Sequence, residues 1–333
     1  MDPLTQGLLG AVAVRNSGNI NAKRGTVLVL GFLAGMAADL DVLIRSKSDP
    51  LLFLEFHRQF THSLIFIPLG GLICGLVLYK LMGRRNTNLS WQQSVLFCTL
   101  GYATHALLDT CTTYGTQLYW PFSNERVSWN VMSIIDPLYT LPIAGLLILS
   151  VRKHWRWTAP MALFWVFAYP SLGWLQRDRA EAVGYQLAAS RGHVVRSLEA
   201  KPSFGNILLW KIVYRTDEAY YIDAVRVGSE PKVFTGDSIP LLKLSSDLPW
   251  LVANSRQATD IERFRWFSQG YIALDPNDPN RIIDIRYSLL PNELDALWSI
   301  QLSPDSPDSA VSYQTHRADG RAKLNQLWQM LTH

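Results

Sequence analysis

Residues 91–111 read WQQSVLFCTLGYATHALLDTC, from Trp91 to Cys111, and their reading decides how the rest of the chain is taken. The stretch contains no Lys, Arg or Glu and has the length, about 20 residues, that a helix needs to cross a bilayer. It also carries His105 and Asp109, four positions apart and hence on one helical face. Ionisable side chains inside such a segment are costly and mark function by default.

Working outward, other apolar runs of similar length appear. Thr26–Ile44 and Ser63–Met82 precede this stretch; Ile134–Val151 and Trp155–Leu175 follow it, so five spans are expected. Met1–Val14 is apolar but too short to cross alone, which makes it a half-span or an interfacial helix. The composition agrees. Of the 333 residues, 48% are hydrophobic and only 17% charged, against about 25% charged in an average soluble domain. Residues 1–176 hold 13 Lys+Arg and 8 Asp+Glu, whereas residues 177–333 hold 18 and 19. The first half is therefore charge-poor and the second ordinary. The net charge of +4 is not a nucleic-acid signal, because the positive excess sits in short clusters between apolar runs. Cys74, Cys98 and Cys111 all lie in apolar stretches without a CxxC spacing, which disfavours a disulfide framework or a cysteine zinc site. No usual signal peptide is visible at the start.

The basic residues orient the spans. One side collects Arg15, Lys23, Arg24, Lys80, Arg84, Arg85, Arg152, Lys153 and Arg156; the other collects Arg45, Lys47, Arg58, Arg126, Arg177 and Arg179. Nine against six puts the first side in the cytoplasm. After Leu175 the pattern changes. Arg177–Gly192 reads as an amphipathic helix, Ile207–Arg215 and Tyr220–Val227 as strands, and Gly270–Leu274 with Ile282–Ser288 as a hairpin around the turn-rich 275–280. Arg321–Leu331 reads as a final helix. The expected architecture is an α-helical multi-span membrane domain, residues 1–178, followed by a small α+β soluble domain, residues 179–333. By the span count the latter lies outside the cytoplasm, in the periplasm or extracellular space.

The remaining ionisable residues converge. Asp39 and Asp41 close the first span, His57 and His62 lie between the first two, His105 and Asp109 end the third, and Asp136 opens the fourth before Pro137. All seven fall on the non-cytoplasmic face, although only Lys and Arg set the orientation. Imidazole and carboxylate are the donors that zinc and similar divalent ions take. The expected metal ligands are His57, His62, His105, Asp109, Asp39 and Asp41, with Asp136 and Asp41 as catalytic groups. Separately, each has an ordinary explanation: a helix-locking His–Asp bond, a solvated helix end, a loop histidine or an N-cap.

As a set, these residues resemble a known family. Asp2-Pro-Leu-Thr5, Ala38-Asp-Leu-Asp41, His57-Arg58, Phe60-Thr-His-Ser63, Gly101-Tyr-Ala-Thr-His-Ala-Leu-Leu-Asp109, Thr113-Tyr-Gly115 and Ile135-Asp-Pro137 are similar to the YdjM-type membrane-bound metal-dependent hydrolases. The resemblance spans about residues 1–180. It implies a multi-pass inner-membrane protein whose His and Asp residues bind a divalent ion, with a distant likeness to zinc phospholipase C and P1-type nuclease sites and hence to phosphate esters. One departure stands out. The family usually has Thr-His where this chain has Thr5-Gln6, and an amide is a poor zinc donor. Either the site holds one ion fewer, or Gln6 supports a ligand from behind.

The expected function is a membrane-bound hydrolase using a divalent metal, zinc foremost, on a phosphate ester or lipid-like substrate that reaches it through the bilayer. The alternative is a non-enzymatic scaffold with a structural metal and a partner-binding soluble tail. A transporter is disfavoured because the ionisable residues gather at one face instead of the midplane.

Overall fold

The computed structural model describes residues 1–17, 24–83, 89–152, 157–316 and 320–333. Lys23, Arg84, Arg85, Lys153 and Arg156, on which the expected orientation partly rests, lie outside them. The chain forms two compact units. The first comprises Met1–Leu43 and Phe56–Gly173, the second Ile44–Glu55 and Trp174–His333.

The first unit is helical. It contains α1 (Pro3–Asn16), α2 (Arg24–Met36), α4 (Ile67–Leu78), α5 (Trp91–Thr110) and α6 (Pro137–Arg152), and most of the first half of α7 (Thr158–Ser190); the short α3 (Leu52–Phe56) lies at the boundary. Asp2 caps α1 by accepting from Thr5 N–H, and Pro3 opens the helix. Ser90 and Gln93 form a reciprocal capping box that starts α5.

Among the described residues, two of the five expected spans are long and apolar enough to cross a membrane, Gly25–Leu43 and Leu64–Met82. Along the second, Leu69, Leu72, Ile73, Leu76 and Val77 are exposed, the outward apolar face that lipid would cover. The other expected spans differ for readable reasons. Helix α5 has 20 residues, but Gln92, Gln93, Ser94, Thr104, His105 and Asp109 dilute its apolarity. Helix α6 is apolar but only 16 residues long. The last expected span and the amphipathic helix after it are one element, the 33-residue α7.

Helices α1, α2 and α5 approach closely because glycines line their crossing. A Cβ on Gly101 would lie 2.5 Å from the Gly31 carbonyl, and one on Gly35 would lie 2.6 Å from the Gln6 carbonyl. Only small residues permit this backbone contact. It brings Gly35 of α2 beside His105 of α5.

The second unit carries two antiparallel sheets. The first has β1 (Ser197–Pro202), β2 (Leu209–Arg215), β3 (Ala219–Arg226) and β4 (Lys232–Phe234) in that order, with β5 (Ser238–Pro240) also pairing β3; the second runs β6 (Ile272–Asp275), β7 (Asp278–Asp284), β8 (Trp298–Gln301), β9 (Ser312–Thr315). The expected strands are present, and a hairpin forms where one is expected, but β6 pairs β7 around a tighter turn at 275–278, so the second arm starts at Asp278 instead of Ile282 and ends at Asp284. A shared core joins the sheets: Val213, Tyr220 and Ile222 from one, Ala273 and Ile283 from the other, with Ile285 just after β7. The short α8 (Leu244–Asp247), α9 (Arg256–Phe267) and α10 (Gly320–Thr332) complete the unit, with Leu327 of α10 buried against Leu209, Ala224 and Leu290.

Candidate metal centre

Helix α2 ends in a tighter 3₁₀ turn, Ala37–Leu43, which carries Asp39 and Asp41. The change of period lets two carboxylates that no single α-helical face would hold point into one cluster. A second short 3₁₀ turn, Phe60–His62, presents His62. It follows Arg58, whose φ of 66° puts a non-glycine residue in the left-handed region. His105 and Asp109 come from adjacent turns of α5, and His62, His105 and Asp109 are fully buried.

Four atoms face one another. His62 Nε2 lies 3.0 Å from His105 Nε2, 3.4 Å from Asp39 Oδ1 and 3.2 Å from Asp109 Oδ2. His105 Nε2 lies 3.3 Å from Asp39 Oδ1 and 3.5 Å from Asp109 Oδ2. The tautomers follow from the far side of each ring. His105 Nδ1 is 2.5 Å from the Gly35 carbonyl, which can only accept, so Nδ1 carries the proton. Thr61 Oγ1 donates to Asp41 Oδ2 at 2.6 Å and can accept from His62 Nδ1 at 2.9 Å. In their neutral forms both Nε2 atoms therefore present lone pairs to each other and to two carboxylate oxygens. Among the described residues, Asp109 Oδ2 has no hydrogen-bond donor.

With both rings neutral such a set of acceptors repels itself, and either a proton on a ring or a metal cation between the four atoms relieves the repulsion. Bonds of about 2.0–2.1 Å from one ion to four tetrahedral donors place those donors about 3.3–3.4 Å apart, and the five distances above bracket that value. The residues fit a divalent metal ion. A second group with atoms close enough for a shared ion, Asp39, Asp41 and His57, includes the same Asp39.

The surroundings orient these side chains. Asp41 receives the Arg58 amide and the Thr61 hydroxyl on Oδ2, with His62 Nδ1 3.2 Å away, and faces His57 Nδ1 at 2.7 Å through Oδ1. A carboxylate behind a histidine is the usual way to fix a metal-binding ring. Burial holds His57 below its ordinary pKa, against the pull of Asp41. Arg58, almost fully buried, places Nε 3.2 Å from Asp109 Oδ2 and its guanidinium 4.5 Å from the Tyr114 ring. On the other carboxylate oxygen, Asp109 Oδ1 receives Gln6 Nε2 at 2.9 Å and contacts the Met1 amino group.

Of the expected site residues, Asp39, Asp41, His57, His62, His105 and Asp109 are brought together. Asp136 is not among them. It accepts from the Leu138 amide and from the Tyr169 hydroxyl, and so ties the start of α6 to α7. Arg58 and Thr61 were not singled out from sequence as site residues. Neither guanidinium nor hydroxyl is among the donors zinc usually takes, and Arg58 makes the left-handed turn, with Thr61 in the segment that follows it.

A family model described as YdjM inner membrane protein matches residues 1–180. The chain belongs to that family. Within the YdjM family's reach, the inner membrane protein YbcI of Escherichia coli (strain K12) is 32% identical over 144 residues, covering 41% of this chain and 80% of that protein. The uncharacterized protein YfhP of Bacillus subtilis (strain 168) is 26% identical over 131 residues; the match covers 39% of this chain and 38% of that protein, so little more than a third of YfhP is represented. No solved structure matches. The YdjM match includes every residue of the cluster and stops before β1, leaving residues 181–333 outside it.

Proposed function

We propose that this YdjM-family protein is a membrane-bound metal-dependent hydrolase acting on a phosphate ester or lipid-like substrate at the outer face of the inner membrane. The observation that carries the reading is the convergence of Asp39 Oδ1, His62 Nε2, His105 Nε2 and Asp109 Oδ2, four metal-donor atoms with five contacts of 3.0–3.5 Å among them. These four residues would hold the ion. Bound there, a divalent cation supplies Lewis-acid polarisation of a phosphoryl or acyl oxygen and acidifies water to a pKa of about 7.

The chain's own residues do the rest. Asp41 orients His62 and His57. Asp109 is held by Gln6 and Arg58. His57 Nε2 makes no hydrogen bond among the described residues, and the ring is 16% exposed; with Nδ1 fixed on Asp41, Nε2 accepts and returns a proton. Asp39, 20% exposed, is the ligand on the open side. Asp136 positions α6.

One observation favours a second reading, a structural ion. Four donors already close a tetrahedral shell, whereas catalytic zinc keeps a position open. Metal analysis and turnover of the detergent-purified protein separate the two. Under the hydrolase reading the wild type carries at least one zinc-like ion per chain, His105→Ala with Asp109→Ala removes most of it, and His57→Ala keeps the ion but loses hydrolysis on a panel of phosphodiesters and phospholipids. Unchanged metal content in the double variant rejects the site. Bound metal with no turnover across the panel leaves the structural reading.

A further inference from the structure

Residues 44–55 join the two segments that carry much of the cluster: Asp39 and Asp41 just before them, His57 and His62 just after. Yet this strap packs with the C-terminal unit. Leu51 and Leu54 are buried, and the Phe53 ring meets the edge of Tyr313 with centroids 5.2 Å apart. Its polar residues converge on one cation of α9. Arg263 grips both oxygens of Asp49 through its two Nη atoms, each at 2.9 Å, and donates from Nε to Glu55 Oε1 at 2.5 Å. Asp260, fully buried one turn earlier on α9, holds Nη1 at 2.8 Å. Arg256 adds a longer contact to Asp49 at 3.6 Å.

An isolated exposed ion pair contributes little, but this one is different in kind. A planar guanidinium meets one carboxylate as a fork and two more at its remaining edges, with the Arg263 side chain only 17% exposed. Without the cation, Asp49, Glu55 and Asp260 would repel one another and release the strap.

We infer that Arg263 is a positioning residue for the metal centre: by clamping Asp49 and Glu55 it fixes the middle and the C-terminal end of the strap and so preorders the ligands on either side of it. The link is covalent continuity. Asp41 is three residues from the start of the strap, and His57 is two residues from its end. A clamped strap has already lost its conformational freedom before the ion arrives, so that cost does not weaken ion binding. The C-terminal unit thereby gains a role, setting the affinity of a site to which it contributes no ligand. This inference rests on the metal reading above.

The test uses the full chain in detergent, with zinc as the probe in competition with a chelator. Arg263→Gln and the pair Asp49→Asn with Glu55→Gln are each expected to weaken zinc binding about tenfold, the low end for residues acting through ligands. Combining all three substitutions should weaken it no further than one set alone, because both sets release the same clamp. Arg263→Lys keeps the charge without the fork, serves if the neutral variants fold poorly, and should weaken binding by less. Hydrogen exchange should rise over residues 39–43 and 56–62 and stay unchanged in α5, a pattern that mere loss of stability would not give. Zinc affinity within about twofold of wild type in both sets, or a combined loss equal to the product of the separate losses, overturns the inference while the metal site stands. A wild type that binds no zinc overturns the metal reading and this inference with it.

Discussion

At the scale of single residues, the cluster shows what sequence patterns convey and what they omit. The i, i+4 spacing of His105 and Asp109 announced their shared face, and α5 delivers it. The role of Gln6 was not decidable from spacing, because an amide near a metal can ligate or support. In the structure its Nε2 donates to Asp109 Oδ1, the oxygen turned away from the four-donor group. Gln6 is therefore expected to hold the ligand from behind. Gln6→Ala should lower zinc affinity about tenfold, as loss of such a support typically does. Gln6→His should not raise it, since the ring would meet Oδ1 instead of the ion. Chelator competition on the two variants checks both; tighter binding in Gln6→His would show that the position is a vacant ligand site. Arg58 was illegible for a different reason: nothing in a sequence marks a non-glycine residue that will adopt a positive φ.

At the scale of elements, the strands after Leu175 were readable from their alternation, but one of them breaks its own rule. Strand β2 buries Lys211 between apolar neighbours, directly across from Lys201 on β1, itself buried. Lys211 Nζ donates to Ser288 Oγ at 2.8 Å and to the Glu293 carbonyl at 3.0 Å, and among the described residues no carboxylate pairs with it. Burial pushes its pKa down to about 7. The consequence for stability has a definite sign. Above an unfolded value of about 10.4 the amine is neutral in both states. As pH falls from there toward 7, the unfolded chain takes up a proton that the folded one refuses, so stability is lost across that window and changes little from this group below it. Lys211→Met removes the dependence. Thermal melts should show the variant gaining most over wild type near pH 7, and the gap closing as pH rises towards 10. A gap independent of pH would mean that Lys211 stays charged when folded. Where the sequence misled at this scale, length was the reason. The apolar run ending at Leu175 and the amphipathic run after it read as two helices because the polarity changes there, yet α7 continues through both.

At the scale of the whole molecule, the two-part composition announced a charge-poor helical region followed by an α+β region, and the order of elements follows it. The membership of residues 44–55 in the second unit was not legible, since a twelve-residue connection between two apolar runs carries no mark of what it packs against. Topology is the remaining question, and it turns on how many helices cross. Gly25–Leu43 and Leu64–Met82 are long and apolar enough by themselves. Helices α5 and α6 fall short by polarity and by length, and each can cross only if its polar groups face protein instead of lipid. Helix α5 meets that condition at Ser94 and at its ionisable His105 and Asp109, all of which are buried. Helix α6 spans only about 24 Å at 1.5 Å per residue, short of a hydrocarbon core of about 30 Å, so it needs a locally thinned bilayer or its flanking residues. With both crossing and α7 making the fifth span, reporter fusions after Leu175 should give a periplasmic signal and fusions at Leu89 a cytoplasmic one. The nine-to-six distribution of basic residues predicts the same orientation. A cytoplasmic signal after Leu175 would mean that α6 does not cross or that α1 does. Of these, a non-crossing α6 would put residues 174–333 on the opposite side of the membrane from the ligands. Its loop 44–55 could not then be gripped by Arg263, so the same fusion experiment also constrains the clamp.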